Sequence, residues 1–287
     1  MARKKIGTCK LTGDTGKFVK SHIIPRALTL PRSGGQGFAQ LGQRKPPVRR
    51  FDSWYDSELV TQVGEDILTD YDTFAIKELR RLKLIWQSWG PMEKLAVPEF
   101  EKIPGTPNGI RRVQFNDPNK MRLFLLSLLW RAVASDRPEF DEIRLSASQT
   151  RRLRGVVRDG RADLKDSFIP IVLNQISTRG LTHNHGPIAD IKQPVKIGKF
   201  RSKPLRIFRF YFDGLSVHFH PDVDDEAVQG LRPTMVGPTD ATILSTVTWE
   251  GSWQARNLAN VIADAEHEFP GATARADGLS TTGFPKV

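Results

Sequence analysis

The sequence predicts a mixed α+β protein, on three observations. Apolar residues recur at helical spacing through the first half and the middle of the chain, the period drops towards two from Phe168 onward, and Asp213-Gly214 separates two such alternating runs. With 287 residues, 39% of them hydrophobic, the chain is long enough for about two domains with real cores. The expected division is 1–117, a small domain of short elements and basic loops; 118–269, helices followed by an antiparallel sheet with a helix; and 270–287, a flexible tail rich in Gly, Ala, Ser and Thr.

The elements follow in order. Gly13, Gly16 and the turn-rich stretches 31–42, 44–50 and 98–108 break the first region into short pieces. Between them 65–86 reads as a helix, because Ile67, Tyr71, Phe74, Ala75, Leu79 and Leu82 fall near helical spacing. Asn116 and Asp117 before Pro118 make a cap and a first-turn proline, opening a helix expected to reach about residue 134. A further helix over 145–158 has Ser146 or Ser148 as its cap and Gly160 as its stop. Strands are expected at Ile169, Ile171 and Leu173, at 207–212, at Val217 and Phe219, and at 243–249, with a final helix over 253–267.

Charge narrows the partner. Forty-three Lys plus Arg against 32 Asp plus Glu leave a net charge of +11, which favours nucleic acid first and an acidic membrane second. The longest apolar run, 123–130, is broken by Ser127, flanked by Arg122 and Arg131, and far short of the ~20 residues a membrane span needs. No apolar leader follows Lys5, so a cytoplasmic protein is expected. A single cysteine, Cys9, excludes an intramolecular disulfide and any all-cysteine zinc cluster supplied by this chain alone.

The chemistry-bearing stretch runs Cys9-Lys-Leu-Thr12-Gly13, then Gly16-Lys17-Phe18-Val19-Lys20-Ser21-His22-Ile23-Ile24-Pro25, and resumes from Asp56 through Leu59, Thr61 and Gly64 to Glu65. It resembles the HNH-type nucleases, whose ββα-metal site opens with a Cys-x-x-Cys knuckle and a strand ending in acid-His-Ile-x-Pro. It is also similar to a broader group of bacterial HNH-like proteins with Ser-His-Ile-Ile-Pro, a later Glu, an aromatic-acid pair, here Tyr71-Asp72, and a helix like 124–131. The resemblance implies a divalent-metal-dependent endonuclease acting on DNA rather than RNA, in a setting of host defence or mobile elements.

Phosphodiester hydrolysis needs a base to activate water, a group to orient the base, and a cation to stabilise charge on the phosphate and leaving oxygen. The resemblance assigns these to His22 as base, Asp56 as the orienting residue, and Glu65 with Asp66, Asp70 or Asp72 at a magnesium or manganese ion. Of the four knuckle positions Cys9 alone is a cysteine, with Thr12, Thr61 and Gly64 at the others, so no structural zinc is expected and Phe18, Val60, Val63 and Ile67 must supply the lost stability. Ordinary alternatives stand beside each assignment: His22 as a core histidine, Glu65 and Asp66 as first-turn acids favoured by the helix dipole, Asp56 as a turn residue. On the whole-protein level the alternative is a catalytically inactive HNH scaffold that binds nucleic acid.

Candidate phosphate contacts are Arg44, Lys45, Arg49 and Arg50, in a loop without acids between the two halves of the motif, and Arg80 and Arg81. Trp54 and Tyr55 beside that loop are read either as base-stacking or as core. Two His-x-His pairs remain. His218 and His220 share a strand face and form a candidate chelate with Asp222, Asp224 or Asp225, against the plainer reading of solvated strand-end histidines; His183 and His185 fall in a loop.

Overall fold

Glycine-punctuated segments at the N-terminus leave room only for short strands. A computed structural model describes residues 5–29, 38–42, 45–50, 52–162, 168–193, 196–197, 200–201 and 204–271. In the first region β1 (Ile6–Thr8) and β2 (Thr15–Lys17) form a hairpin, β3 (Ser21–His22) follows, β4 (Phe38–Gly42) pairs with β5 (Lys45–Arg50), and β6 (Tyr55–Asp56) returns to pair with β3. Helix α1 spans Gln62–Arg81. It begins earlier and stops sooner than the expected 65–86, because Lys83 takes a left-handed φ of 50° and the chain reverses into a short turn at Trp86–Trp89.

Strands β7 (Phe100–Lys102) and β8 (Asn108–Val113) precede α2 (Pro118–Ala134), whose first turn is capped as expected, Asp117 Oδ1 accepting from the Lys120 amide at 2.8 Å. Helix α3 (Ala147–Asp159) has a reciprocal capping box between Ser146 and Gln149 and ends at Gly160 with φ 65°. The chain continues through β9 (Ile171–Ile176), β10 (Asn184–His185), β11 (Ile188–Lys192), β12 (Lys196–Ile197), β13 (Phe200–Arg201), β14 (Leu205–Phe212), β15 (Leu215–Phe219), α4 (Asp225–Leu231), β16 (Thr242–Val247) and α5 (Trp253–Glu268). Ile169, expected in a strand, has φ 49° instead, so β9 starts after Pro170. His183 and His185, expected in a loop, lie at β10 and are buried.

Seven strands form one sheet in the order β11-β14-β15-β9-β16-β8-β7. It is mixed, not antiparallel as expected: β9 and β16 run parallel, since the long connection between them allows a crossover. β7 and β8 lie before the expected boundary at residue 117, yet β8 pairs with β16, so the sheet takes strands from both sides of that boundary. Residues 272–287 of the expected tail are outside the described residues. Among the described residues no helix is long and apolar enough to cross a membrane.

One sheet face carries Phe208, Phe210, Phe212, Val217, Phe219 and Leu173, in the same buried cluster as α2 and as Cys9, Leu11, Ile23 and Ile24 of the N-terminal region. α1 and α3 both pack on α2. This enclosure is why the apolar run 123–130 has no polar face, and it buries Arg122 and Arg131 as well. The β14–β15 turn is clamped from outside: the Trp86 and Gln87 amides donate to the Asp213 carbonyl and carboxylate at 2.9 and 2.8 Å. Gly214, at φ 84°, leaves no room for a side chain, because a Cβ there would stand 2.4 Å from the Trp86 ring. Gly214→Ala is expected to destabilise the protein by about 2–4 kcal/mol through strain and displacement of Trp86, measured by chemical denaturation.

Candidate active site

The β3–β6 ladder pairs Ser21 with Asp56 and His22 with Tyr55, and the Ile23 amide extends it by donating to the Trp54 carbonyl at 2.9 Å. Side chains alternate across such a ribbon, so Asp56 shares a face with Ser21 and not with His22. The Asp56 oxygens accept from the Glu58 amide at 2.8 Å and from Ser135 Oγ at 3.0 Å. The carboxylate that holds the imidazole is Asp52, with Oδ1 3.0 Å from His22 Nε2. The orienting role expected of Asp56 therefore falls to Asp52, which sits past the end of the ladder and is steadied by the Ser53 amide at 3.0 Å.

Asp52 is also bonded by Lys20, and Arg26 Nε lies 3.7 Å away. Burial alone would raise the Asp52 carboxyl, but hydrogen bonds from Lys20 and His22, with their charges, outweigh it and hold the group at about 2. The His22 side chain keeps 24% of its surface exposed. With Nε2 committed to Asp52, the neutral ring carries its proton there and Nδ1 is the nitrogen left to accept one. The Lys20 ammonium lies 4.0 Å over the Tyr55 ring, which is itself exposed, whereas Trp54 is buried against Phe140.

The two acids expected at a metal part company on α1. Glu65 turns inward towards Ser21 and His22; Asp66, one residue round the helix, is exposed and accepts from Gln62 Nε2 at 2.8 Å. Asp70 likewise points outward to Lys120. Burial pushes the Glu65 carboxyl up from its ordinary range; Ser21, Arg131 and His22 act against this and Asp72 adds to it. Among the described residues Ser21 Oγ and Glu65 Oε2 are both buried with no hydrogen-bond partner.

Under this pair lies Arg131 of α2. Its guanidinium donates to the His22 carbonyl at 3.0 Å and to both Asp72 oxygens at 3.0 and 2.6 Å. Asp72 belongs to the aromatic-acid pair singled out in the sequence; its other member, Tyr71, donates to the Val157 carbonyl of α3 at 2.9 Å. The four knuckle positions also come together. Cys9 Sγ accepts from the Thr12 amide at 3.4 Å, Thr61 bonds the same thiol through its backbone, and a Cβ on Gly64 would stand 2.8 Å from that sulfur.

The expected phosphate contacts are dispersed. Lys45, Arg49 and Arg50 lie on β5, the outer strand of a three-stranded sheet with β4 and β10, and Arg44 is outside the described residues. Arg81 is fixed by Glu78 at 2.8 Å and, like Arg80, stands at the opposite end of α1 from Glu65, about 24 Å away at 1.5 Å per residue. The cations beside His22 are instead Lys20 and Arg26, which sequence reasoning missed although both flank the Ser-His-Ile-Ile-Pro motif. The His218/His220 chelate does not assemble: Asp222 pairs with Arg206 at 2.9 Å and Asp224 caps α4. Among the described residues no group of three or more His, Cys, Asp or Glu is placed to hold a metal.

Because the Glu65 carboxyl is raised in the folded chain, its ionisation costs stability as pH climbs from the unfolded pKa through the folded one. Glu65→Gln is therefore expected to raise Tm by about 1–3 °C at pH 8 and to leave it nearly unchanged at pH 3, where both states carry an almost wholly neutral group, as read by calorimetry. No protein-family model, curated protein or solved structure matches this chain.

Proposed function

We propose that the N-terminal region is an HNH-like, divalent-metal-dependent endonuclease that hydrolyses DNA phosphodiesters, with His22 as base and Asp52 as the residue that orients it. The observation that carries this reading is the partly exposed imidazole, fixed through Nε2 and backed by the orphaned Glu65 carboxyl and Ser21 hydroxyl. Convergence of Cys9, Thr12, Thr61 and Gly64 supports it, because a site remodelled from a zinc knuckle would keep those positions together.

In this reading His22 Nδ1 takes a proton from water as the water oxygen bonds to phosphorus. The bond from phosphorus to the leaving oxygen breaks, and that oxygen takes a proton from solvent. Asp52 holds the imidazole in the required tautomer and stabilises the imidazolium that forms. Lys20 and Arg26 present positive charge to the phosphates on either side, and Tyr55 offers an exposed ring for a flanking base. Glu65 and Ser21 give an all-oxygen donor pair that fits magnesium or manganese, which bind through one or two carboxylates plus substrate phosphate, and does not fit zinc. Such an ion, when bound, supplies charge stabilisation on the phosphate and leaving oxygen.

One observation favours the second reading, a catalytically inactive nucleic-acid-binding scaffold: two of the acids expected at the metal, Asp66 and Asp70, turn away to Gln62 and Lys120. Plasmid nicking with magnesium or manganese distinguishes the two. Cleavage is expected, reduced about 10²–10⁴-fold in His22→Ala and by a smaller factor in Asp52→Asn, with DNA binding retained in both. Salt-sensitive binding without cleavage under either ion refutes the nuclease and leaves the scaffold; no DNA binding at low salt removes both.

A further inference from the structure

The sheet face turned away from α2 carries a second cluster of polar side chains, buried at His218 and His220 and exposed at Lys192. The β14–β15 register sets His218 opposite Arg209, and β11 brings Asp190 and Lys192 to the same face by alternation from Ile188, which opposes Arg209. His220 follows two residues after His218. His218 is 6% exposed and His220 fully buried, so neither is the solvated strand-end residue expected from the sequence.

A hydrogen-bond relay fixes the state of the first ring. Ser245 Oγ donates to Asn174 Oδ1, which turns the Asn174 amide nitrogen to His218 Nδ1 at 3.1 Å. That nitrogen therefore accepts, and in the neutral ring the proton sits on Nε2, a buried donor with no partner among the described residues. Among the described residues both ring nitrogens of His220 lack a partner too, as does Arg209 Nε, although the Arg209 guanidinium is paired with Asp190 at 2.8 Å and stacked 4.1 Å over Trp253. Burial first, then the Arg209 and Lys192 charges, hold His218 far below its ordinary value; burial and Lys192 take His220 to about 4.

Three unmet donors beside two cations and one carboxylate form an environment that lacks an acceptor and a negative charge. A metal ion is disfavoured, because His218 Nδ1 is engaged, Nε2 carries the proton, and Arg209 and Lys192 repel cations. We propose that His218, His220, Arg209 and Lys192 form a site for a phosphate-sized tetrahedral oxyanion, independent of the His22 centre.

The test is a titration of the full chain, labelled with ¹⁵N at its six histidines, with inorganic phosphate at constant ionic strength, the rings being assigned in the unsubstituted chain. Saturable shifts of the His218 and His220 rings are expected, with a saturable rise in Tm absent in matched chloride. His218→Gln and Arg209→Lys are each expected to weaken phosphate at least about tenfold. Absence of saturation, shifts confined to other histidines, or movement of these two rings by zinc chloride but not by phosphate would overturn the site. The ring shifts and the rise in Tm are read on the unsubstituted chain, so they do not depend on a variant folding.

Discussion

The Arg131 guanidinium reaches three parts of the fold at once: its own helix at Ser127, α1 at Asp72, and the backbone of β3 at His22. It is 1% exposed on a helix buried on all sides, where an uncompensated charge costs several kcal/mol. Both Asp72 oxygens and the His22 carbonyl must therefore stay in place around it. The candidate site inherits its rigidity from this demand, since β3 is only two residues long and its ladder with β6 would not hold an imidazole by itself. The same enclosure of α2 joins the N-terminal strands to the seven-stranded sheet, and Lys10 on Ala134 and Arg154 on Leu11 reinforce the junction at 2.8 Å each.

Docking onto α2 also gives the segment around Cys9 a packed core. Leu11, Leu59 and Val60 are fully buried around Cys9, and each such side chain contributes about 1.5–3 kcal/mol. Of the replacements expected from the sequence, Val60 takes part and Phe18 packs against Gly7, while Val63 is 57% exposed and contributes little. The thiol of Cys9 accepts backbone donors from Leu11 and Thr12 in its own turn and from Thr61 at the start of α1.

What the sequence made legible was local. Asp117 with Pro118, Ser146 as one of two candidate caps, Gly160, and the Asp213-Gly214 turn each act within a few residues, and the structure places these signals where the sequence put them. Pairings between distant segments were not legible: the parallel contact of β9 with β16 and the recruitment of β7 and β8 depend on which strands meet after collapse. The site divides the same way. Ser21, His22 and Glu65 do come together, whereas motif spacing pointed to Asp56 and the ladder's alternation turned that residue away. Asp52 lies beyond the regular pairing, where no periodicity marks it. Arg131 read as the flank of an apolar run because burial of a charge becomes visible only when its partner, 59 residues away, is known.

One carboxyl near His22 has no direct ion-pair partner among the described residues. Arg131 pairs with Asp72, and Lys20 and Arg26 both face Asp52, which leaves the Glu65 carboxyl desolvated, beside Asp72, and without a hydrogen-bond partner on Oε2. A residue chosen for stability alone at that position would be apolar or an amide, since burying an unmet carboxyl costs free energy. Retaining Glu there makes physical sense if its charged form acquires a positive partner during function, and the neighbouring Ser21 oxygen leaves that partner an all-oxygen environment. The inactive-scaffold reading assigns Glu65 no such partner, so this carboxyl, more than the imidazole, is where the two readings differ in chemistry.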